Sequence, residues 1–328
     1  MYPSSTPEDV TFITNQTEAC ALFIDDSCLN IWKLCLDKCP SVRDVILLNR
    51  TEAKDYTTVH SLTLLGSKVS NRNAAWKELA GKIKPQDVST IIYTSGTTGI
   101  PKGVIITHEQ IVSELNSAFG LFQIGPGDSS LCFLPLAHVL GRVELWGHIW
   151  WGYQLCYAES IEKLRQNLKD IAPTFLIAVP RVFEKIYVTV TAQLESALFG
   201  KHIFREALEI GLKISEYRLQ RRIIPLSLIV KHQLADRVAL SKVREAFGGK
   251  LRFAVCGGAP LSEEIARFFH ACGVLILEGY GLTETTAAIC VNTPFNYRFG
   301  SVGCVIGQNQ IKIAEDGEIL VKGPNVMK

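Results

Sequence analysis

The feature that most constrains this chain is a loop rich in glycine and hydroxyl side chains, Tyr93–Gly103, which follows a short apolar run. It combines three glycines, four Ser or Thr hydroxyls and one lysine. The preceding run, Val88–Tyr93, is typical of a buried strand, and a helix is predicted to begin near Thr107. Backbone N–H groups, hydroxyls and a mobile positive charge gathered at one point suit an anionic phosphate. The sequence therefore predicts a strand-to-helix loop that binds a nucleotide.

The spacing within this loop excludes a Walker A box. That box places Gly-Lys-Ser/Thr after a glycine and four residues, whereas Pro101 lies five residues after Gly96 and Gly103 follows Lys102. The alternative is a Ser/Thr/Gly surface linker. A linker would not account for the flanking apolar strand, the following capped helix and the Pro-Lys pair.

Composition bounds the class of protein. With 328 residues and 47% apolar content, the chain can build two or three compact units. The 34 basic and 32 acidic residues give a net charge of +2, which offers no electrostatic case for nucleic acid. The ten cysteines are scattered, so buried reduced thiols are favoured over a disulfide framework or a metal site. Neither a signal segment nor a spanning apolar run is recognised, and a cytoplasmic location is expected.

Short apolar runs alternating with helical patterns predict an α/β fold. The predicted strands are Cys20–Ile24, Val45–Leu48, Leu131–Leu134, Phe175–Val179, Leu251–Val255 and Val274–Leu277. The predicted helices are Ser27–Cys39, Asn71–Gly81, a helix capped by Thr107 and Gln110 that runs to Phe119, and a helical segment from Val182 to Phe247 with one apolar face at Ile203, Ala207, Ile210 and Ile214. A hairpin is predicted around Asp316-Gly317.

Three further segments carry polar groups or glycines at predicted strand ends. They are Cys256–Pro260, Glu278–Thr285 and the region of His138. Each has a simpler alternative, namely an ordinary turn, a solvated turn and a structural histidine. Ligands bind at the carboxyl ends of strands in open parallel sheets, so the segments together indicate one site more strongly than any does alone.

The motifs Tyr93–Gly103, Cys256–Leu261 and Gly279–Thr285 resemble three signatures of the adenylate-forming (AMP-binding) superfamily. The segments Leu134–His138 and Val179–Tyr187, with the long helical segment, resemble its long-chain fatty acid–CoA ligase branch. The resemblance covers almost the whole chain. It implies two stacked, mainly parallel β-sheets flanked by helices and an incomplete C-terminal β-barrel subdomain. The implied subdomains are 1–122, 123–292 and 293–328.

The resemblance also implies roles for individual residues. The phosphates of ATP would be held by Thr94, Ser95, Gly96, Thr97, Thr98, Gly99 and Lys102. The adenine would be held by Gly258, Ala259, Pro260, Glu278, Gly279, Tyr280 and Gly281. Thr283 would contact the α-phosphate, Glu284 with Thr94 would place Mg²⁺, and His138 would lie near the acyl end. Lys102, Thr283, Glu284 and His138 are thus the expected catalytic residues.

The implied reaction is ATP-dependent activation of a long-chain fatty acid to an acyl-adenylate, followed by transfer to CoA or another thiol. The Thr-Gly-Asp motif and the small C-terminal domain with its lysine are not found after Lys328, so a core truncated at both ends is expected, and its activity is in question. The alternative is an inactive fragment that binds nucleotide, fatty acid or a partner.

Two further partners follow from the sequence. Arg218, Arg221 and Arg222 adjoin the apolar run Ile223–Val230, a pattern that suits contact with anionic lipid. The preferred alternative is a charged helix end followed by core. A homodimer is left open, and no nucleic acid is expected.

Overall fold

The computed structural model describes residues 1–2, 4–49, 55–95, 100–196 and 200–328, without the side chains of Ser95 and Glu195. The chain forms two compact units. The first comprises residues 1–87 and 93–103, and the second comprises residues 88–92 and 104–328.

The first unit contains a three-stranded parallel sheet in the order β1-β2-β3. Its elements are α1 (Pro7–Gln16), β1 (Ala21–Ile24), α2 (Leu29–Cys35), β2 (Asp44–Leu47), β3 (Thr57–Thr58), α3 (Val59–Ser67) and α4 (Arg72–Gly81). Trp32, Cys35 and Cys39 form its small core with Leu22. The strands and helices predicted for this part of the chain are confirmed within a few residues, although 3₁₀ turns flank α2 on both sides.

The predicted strand-to-helix loop is a loop between two strands. β4 (Val88–Ser95) pairs with β5 (Pro101–Thr107), and α5 (His108–Phe119) follows only then. The prediction was wrong because the apolar residues after Gly103 alternate between buried and exposed, as in a strand. The predicted capping box is present, since the Thr107 N–H donates to Gln110 Oε1 at 2.7 Å.

From residue 129 onward, the strands of the second unit are β6 (Ser129–Cys132), β7 (Gln154–Tyr157), β8 (Phe175–Ala178), β9 (Phe253–Cys256), β10 (Ile276–Leu282), β11 (Ala287–Val291), β12 (Cys304–Val305), β13 (Gln310–Ile313) and β14 (Ile319–Lys322). Five of these strands form one sheet, in the order β12-β11-β10-β9-β8. The further helices of this unit are α6 (Val139–Trp151), α7 (Leu164–Ile171), α8 (Pro180–Ser196), α9 (Gly200–Leu219), α10 (Leu226–Ala235), α11 (Ser241–Glu245) and α12 (Glu263–Ala271), with a π turn at Asp236–Leu240. β8, β9 and β10 are parallel, whereas β11 and β12 are antiparallel to their neighbours.

Both faces of this sheet are covered, as expected for parallel strands. Leu176 and Ala178 of β8 belong to a core shared with α8, α9 and α12. The alternate residues Phe175 and Ile177 belong to a second core shared with α5 and α6. The α/β fold class is thus confirmed.

Two details of the second unit bear on the predictions. β13 and β14 form the predicted hairpin, with Gly317 at a φ of +89° in its turn. The partial barrel around this hairpin stays a prediction, as do the subdomain boundaries. On α9, Ala207 and Ile214 are buried, but Ile203 is 44% exposed. Ile203 lies in the first turn of α9, where it borders a surface cavity together with Leu194 and Val238.

Candidate active site

The last residues of β8 and β9 lie in register with the third residue of β10. Ala178 is paired with Cys256, and Cys256 is paired with Glu278, after which β10 continues to Leu282. Because the three strands are parallel, the segments that follow Ala178, Cys256 and Glu278 begin side by side at one edge of the sheet. The convergence predicted for Cys256–Pro260 and Glu278–Tyr280 is therefore present.

The segment after β9 is poor in side chains where it lies beside β10. A Cβ placed on Gly257 would lie 3.7 Å from the Gly279 carbonyl oxygen and 3.8 Å from Leu140 Cδ2, which are ordinary van der Waals distances. Gly258 has a φ of +83°, a left-handed conformation that L side chains rarely adopt. Ala259 and Pro260 are exposed beside them. The result is a low, side-chain-poor surface on which a flat ring can lie against the backbone.

Glu278 joins the loop after β9 to β10. Its carboxylate accepts a hydrogen bond from the Leu261 N–H at 3.3 Å. Burial raises the pKa of Glu278, while the backbone N–H donors of Leu261 and Gly300 act in the opposite direction. This residue therefore fixes the exposed Ala259-Pro260 surface relative to the strand that leads to Tyr280.

His138 lies at the start of α6, close to the same edge. It is the N-cap residue, and its Nδ1 accepts a hydrogen bond from the Leu140 N–H at 3.2 Å. Burial lowers the pKa of His138, so the ring is neutral at pH 7, with its proton on Nε2. Leu140, two residues on, borders Gly257, which brings His138 into the neighbourhood of the glycine loop.

The segment Tyr280–Thr285 turns sharply at the end of β10. The β10–β11 pairing shifts register between Tyr280 and Gly281. A Cβ on Gly281 would lie 1.5 Å from the Ala287 carbonyl oxygen, so only glycine fits there. A 3₁₀ turn, Thr283–Thr285, buries Thr283 and leaves Glu284 exposed.

A buried polar network holds this turn from behind, and sequence reasoning missed it. The Met327 N–H donates to the Glu284 carbonyl oxygen at 2.8 Å, and Thr286 Oγ1 donates to the Asn325 carbonyl oxygen at 2.7 Å. Glu114 of α5 accepts the Asn325 side-chain amide and, at 2.9 Å, the Ala288 N–H. One signal could have revealed it: Glu114 is a charged residue on the apolar stripe formed by Ile111, Leu115 and Ala118.

The residues predicted to hold phosphate belong to the first unit, apart from those outside the described residues. Thr94 and Ser95 end β4, and Lys102 is the second residue of β5, with an exposed side chain. Gly96, Thr97, Thr98 and Gly99 lie outside the described residues. Tyr93, beside Thr94, donates from its hydroxyl to Gln16 Oε1 at 2.5 Å. Phosphate binding by this loop stays a prediction.

Two findings on the described part of the chain concern metal binding and cysteine pairing. No cluster of three or more His, Cys, Asp or Glu side chains could hold a metal ion there. Glu284 therefore belongs to no such cluster, and a Mg²⁺ ion at this point would need ligands from phosphate or water. The ten cysteines are unpaired thiols, of which six are buried and two, Cys20 and Cys304, are exposed.

Comparison with known proteins identifies the family of this chain. The family model for AMP-binding enzymes matches residues 1–328. The long-chain-fatty-acid–CoA ligase FadD15 of Mycobacterium tuberculosis is 34% identical over 98% of this chain and 53% of its own length. The peroxisomal long chain acyl-CoA synthetase 7 of Arabidopsis thaliana is 27% identical over 100% of this chain and 48% of its own length. The chain thus spans about half the length of these relatives.

Solved structures show the same fold. The inhibitor-bound N-terminal domain of FACL13 from Mycobacterium tuberculosis superposes with a TM-score of 0.69 at 18% identity, covering 100% of this chain and 70% of that one. The long-chain-fatty-acid-CoA ligase FadD1 from Archaeoglobus fulgidus superposes with a TM-score of 0.65 at 19% identity, covering 100% of this chain and 58% of that one.

Proposed function

Because the chain belongs to the AMP-binding enzyme family, we propose that it is the nucleotide-binding core of a ligase that activates a long-chain fatty acid with ATP. The product of the first step is an acyl-adenylate, and a thiol, CoA in the relatives named for it, then displaces AMP. The enzyme class is an acid–thiol ligase.

The observation that carries this proposal is the register of Ala178, Cys256 and Glu278. It supports a site in which the segment after β9 lies beside β10, the strand that leads to Tyr280 and Thr283. An adenine ring would fit the exposed surface of Gly258, Ala259 and Pro260. In this proposal Tyr280 covers the ring, and Thr283 reaches the α-phosphate.

The chemistry requires that two anions meet. The fatty carboxylate oxygen attacks the α-phosphorus of ATP, a P–O bond forms, and the bond to pyrophosphate breaks. Hydrogen-bond donors and cations that offset the negative charge lower this barrier. We assign this role to Lys102 and to the backbone of Thr94–Gly99. Mg²⁺, when bound, would neutralise phosphate charge, and Glu284 would supply a carboxylate ligand to it.

His138 is assigned to the acyl end of the site. Its neutral ring can donate from Nε2, because Nδ1 already accepts the Leu140 N–H. A neutral donor would orient the attacking carboxylate or stabilise the acyl-adenylate without forming an ion pair that would hold the carboxylate back. The cytoplasmic location stays a prediction, and a homodimer stays an open alternative.

The test is exchange of labelled pyrophosphate into ATP by the purified chain, with and without a long-chain fatty acid. Exchange that requires the fatty acid and Mg²⁺ supports the proposal. ATP binding without exchange at any fatty-acid chain length would favour the inactive fragment, and absence of ATP binding would reject the site itself.

A further inference from the structure

An apolar stripe on α10 faces solvent. Its side chains recur at nearly helical spacing: Leu226 is 76% exposed, Val230 59% and Leu234 67%, flanked by Ile223 at 94% and Val238 at 42%. Within α10 only Ala235 is buried. The preferred expectation that the apolar run after Arg222 enters the core is therefore wrong, because the run folds as a surface helix.

Helix α10 is apolar on two sides. The side that carries Leu228, Ile229 and Ala235 is less exposed, and α10 packs against α9. The opposite side carries Leu226, Val230 and Leu234. A surface helix of a soluble protein normally has one apolar side and one polar side. An exposed apolar patch of this kind marks a surface that binds something apolar.

The charges around the stripe indicate the chemistry of its occupant. Residues 218–242 carry six basic side chains (Arg218, Arg221, Arg222, Lys231, Arg237 and Lys242) and one acidic side chain, Asp236. Asp236 is already bound by Arg244 at 2.6 Å. Arg221 and Arg222 donate to neutral oxygens, those of Phe295 at 3.3 Å and Gln220 at 3.2 Å. The border of the stripe thus has an excess of positive charge.

We propose that α10 with the preceding Arg218–Ile223 segment is a peripheral lipid-binding surface that lies on an anionic membrane. The stripe of Ile223, Leu226, Val230, Leu234 and Val238 enters the boundary between headgroups and acyl chains, and the basic side chains contact lipid phosphates. No helix in the described parts of the chain is long and apolar enough to cross a membrane, so the contact is at the interface.

This surface goes beyond the adenylation chemistry and does not depend on it. If the proposed function also holds, the surface would place the enzyme beside the source of its water-insoluble substrate. A second copy of the chain could instead cover the stripe. In such a dimer the six basic side chains of one copy would face the six of the other and repel them. This repulsion favours an anionic lipid surface over a second copy as the partner.

The experiment is co-sedimentation of the chain, without ATP or fatty acid, with vesicles of phosphatidylcholine alone or mixed with phosphatidylglycerol. The stripe variant is Leu226→Ser/Val230→Ser/Leu234→Ser, and the charge variant is Arg221→Glu/Arg222→Glu. The matched controls are Ile313→Ser/Ile319→Ser/Leu320→Ser and Lys312→Glu/Lys322→Glu, which alter exposed apolar and basic residues on the β13–β14 hairpin.

We expect the unaltered chain to bind mixed vesicles, and to bind them less at high salt. The stripe and charge variants should each lose about tenfold or more in partitioning, while both controls bind normally. Equal binding by all variants, or no binding by the unaltered chain, would overturn the proposal. So would a dimer that the stripe variant converts to monomer while vesicle binding stays unchanged.

A second variant guards against misfolding of the stripe variant. Val230→Trp adds a reporter to an exposed position and keeps the stripe apolar. The fluorescence of this tryptophan is the difference between the variant and the unaltered chain. It should be quenched by lipids brominated near the headgroup end of the acyl chain. Ile313→Trp should not be quenched. Equal quenching at both positions would contradict the assignment.

Discussion

The side-chain amide of Asn325 donates to the buried carboxyl group of Glu114, and this contact joins α5 to the last residues of the chain. Asn325 also accepts a hydrogen bond from Ser113 Oγ at 2.9 Å and, through its carbonyl oxygen, from Thr286 Oγ1 at 2.7 Å. Thr286 and Ala287 have φ angles of +56° and +102°. The network therefore supports a backbone conformation that non-glycine residues rarely adopt, directly after the Thr283–Thr285 turn.

The first prediction concerns that network. Asn325→Ala should lower the free energy of unfolding by about 2 to 3 kcal/mol, because it leaves the buried carboxyl group of Glu114 and the hydroxyl group of Ser113 without their hydrogen-bond partner. Lys328→Ala is the control, since the Lys328–Glu109 ion pair is largely exposed and should contribute under about 1 kcal/mol. Urea titration measures both. Equal decreases in the free energy of unfolding for the two substitutions would contradict a stabilising role of the Asn325–Glu114 hydrogen bond.

The second prediction is a pH dependence. Burial raises the pKa of Glu114 to about 8, so the folded state holds this proton more tightly than the unfolded state. The stability from protonated Glu114 is fully present below the unfolded pKa of about 4.5 and is lost as pH rises through about 8. Glu114→Gln removes this contribution.

The measurement is urea unfolding across that pH range. The unfolding free energy of the unaltered chain, relative to Glu114→Gln, should fall with pH by up to about 1.4 kcal/mol per unit. Glu144, whose pKa burial raises to about 7, titrates in both proteins and cancels in the difference. A difference that does not vary with pH would contradict the prediction.

The third prediction separates two consequences of glycine in the site. Gly281→Ala should destabilise the fold by several kcal/mol, because its Cβ would lie 1.5 Å from the Ala287 carbonyl oxygen. Gly258→Ala alters an exposed position where the Cβ would meet only Val179 Cγ1 at 3.6 Å, so its cost to unfolding, about 1 to 2 kcal/mol, should come from the φ of +83° alone. It should nevertheless weaken ATP binding in calorimetry. Undiminished ATP affinity would place the adenine elsewhere.

The fourth prediction concerns His138. His138→Asn keeps a good N-cap for α6, whereas His138→Ala loses it at about 1 kcal/mol. Both should reduce fatty-acid-dependent pyrophosphate exchange about tenfold or more, because each removes the imidazole donor. If His138→Asn retained full exchange, the histidine would be a cap and nothing else.

The fifth prediction tests the loop whose middle lies outside the described residues. Lys102→Ala should weaken ATP binding by about tenfold to a hundredfold, as expected for a lost charge-assisted contact to phosphate. Lys77→Ala, an exposed lysine on α4, is the matched control. Calorimetric titration with ATP measures both. An unchanged ATP affinity in Lys102→Ala would contradict the loop assignment.

Local patterns predicted the elements whose signals are local. The continuous apolar run Phe175–Ala178 is a buried strand because both faces of its sheet are covered. The predicted buried strand Val88–Tyr93 is wrong in burial, since Val88 and Ile91 are exposed. The Thr107–Gln110 capping box needs only four consecutive residues, and it was found. The side-by-side placement of Cys256 and Glu278 followed from parallel pairing, which α/β alternation implies.

What could not be predicted depends on distant partners. Nothing near Glu114 in the sequence indicates Asn325, because the contact joins segments that only the folded chain brings together. β5 was missed because glycines suggested a longer loop. The exposure of Leu226 and Leu234 could not be deduced either, since an apolar helix is equally consistent with core.

The most direct test of the central claim is hydroxylamine trapping of the activated acyl group. The purified chain is incubated with ATP, Mg²⁺ and a series of saturated fatty acids, and acyl-hydroxamate is quantified by mass spectrometry. The account predicts hydroxamate that requires ATP, is greatest with long chains and is lost in Lys102→Ala. ATP bound by the chain with no hydroxamate at any chain length would contradict it.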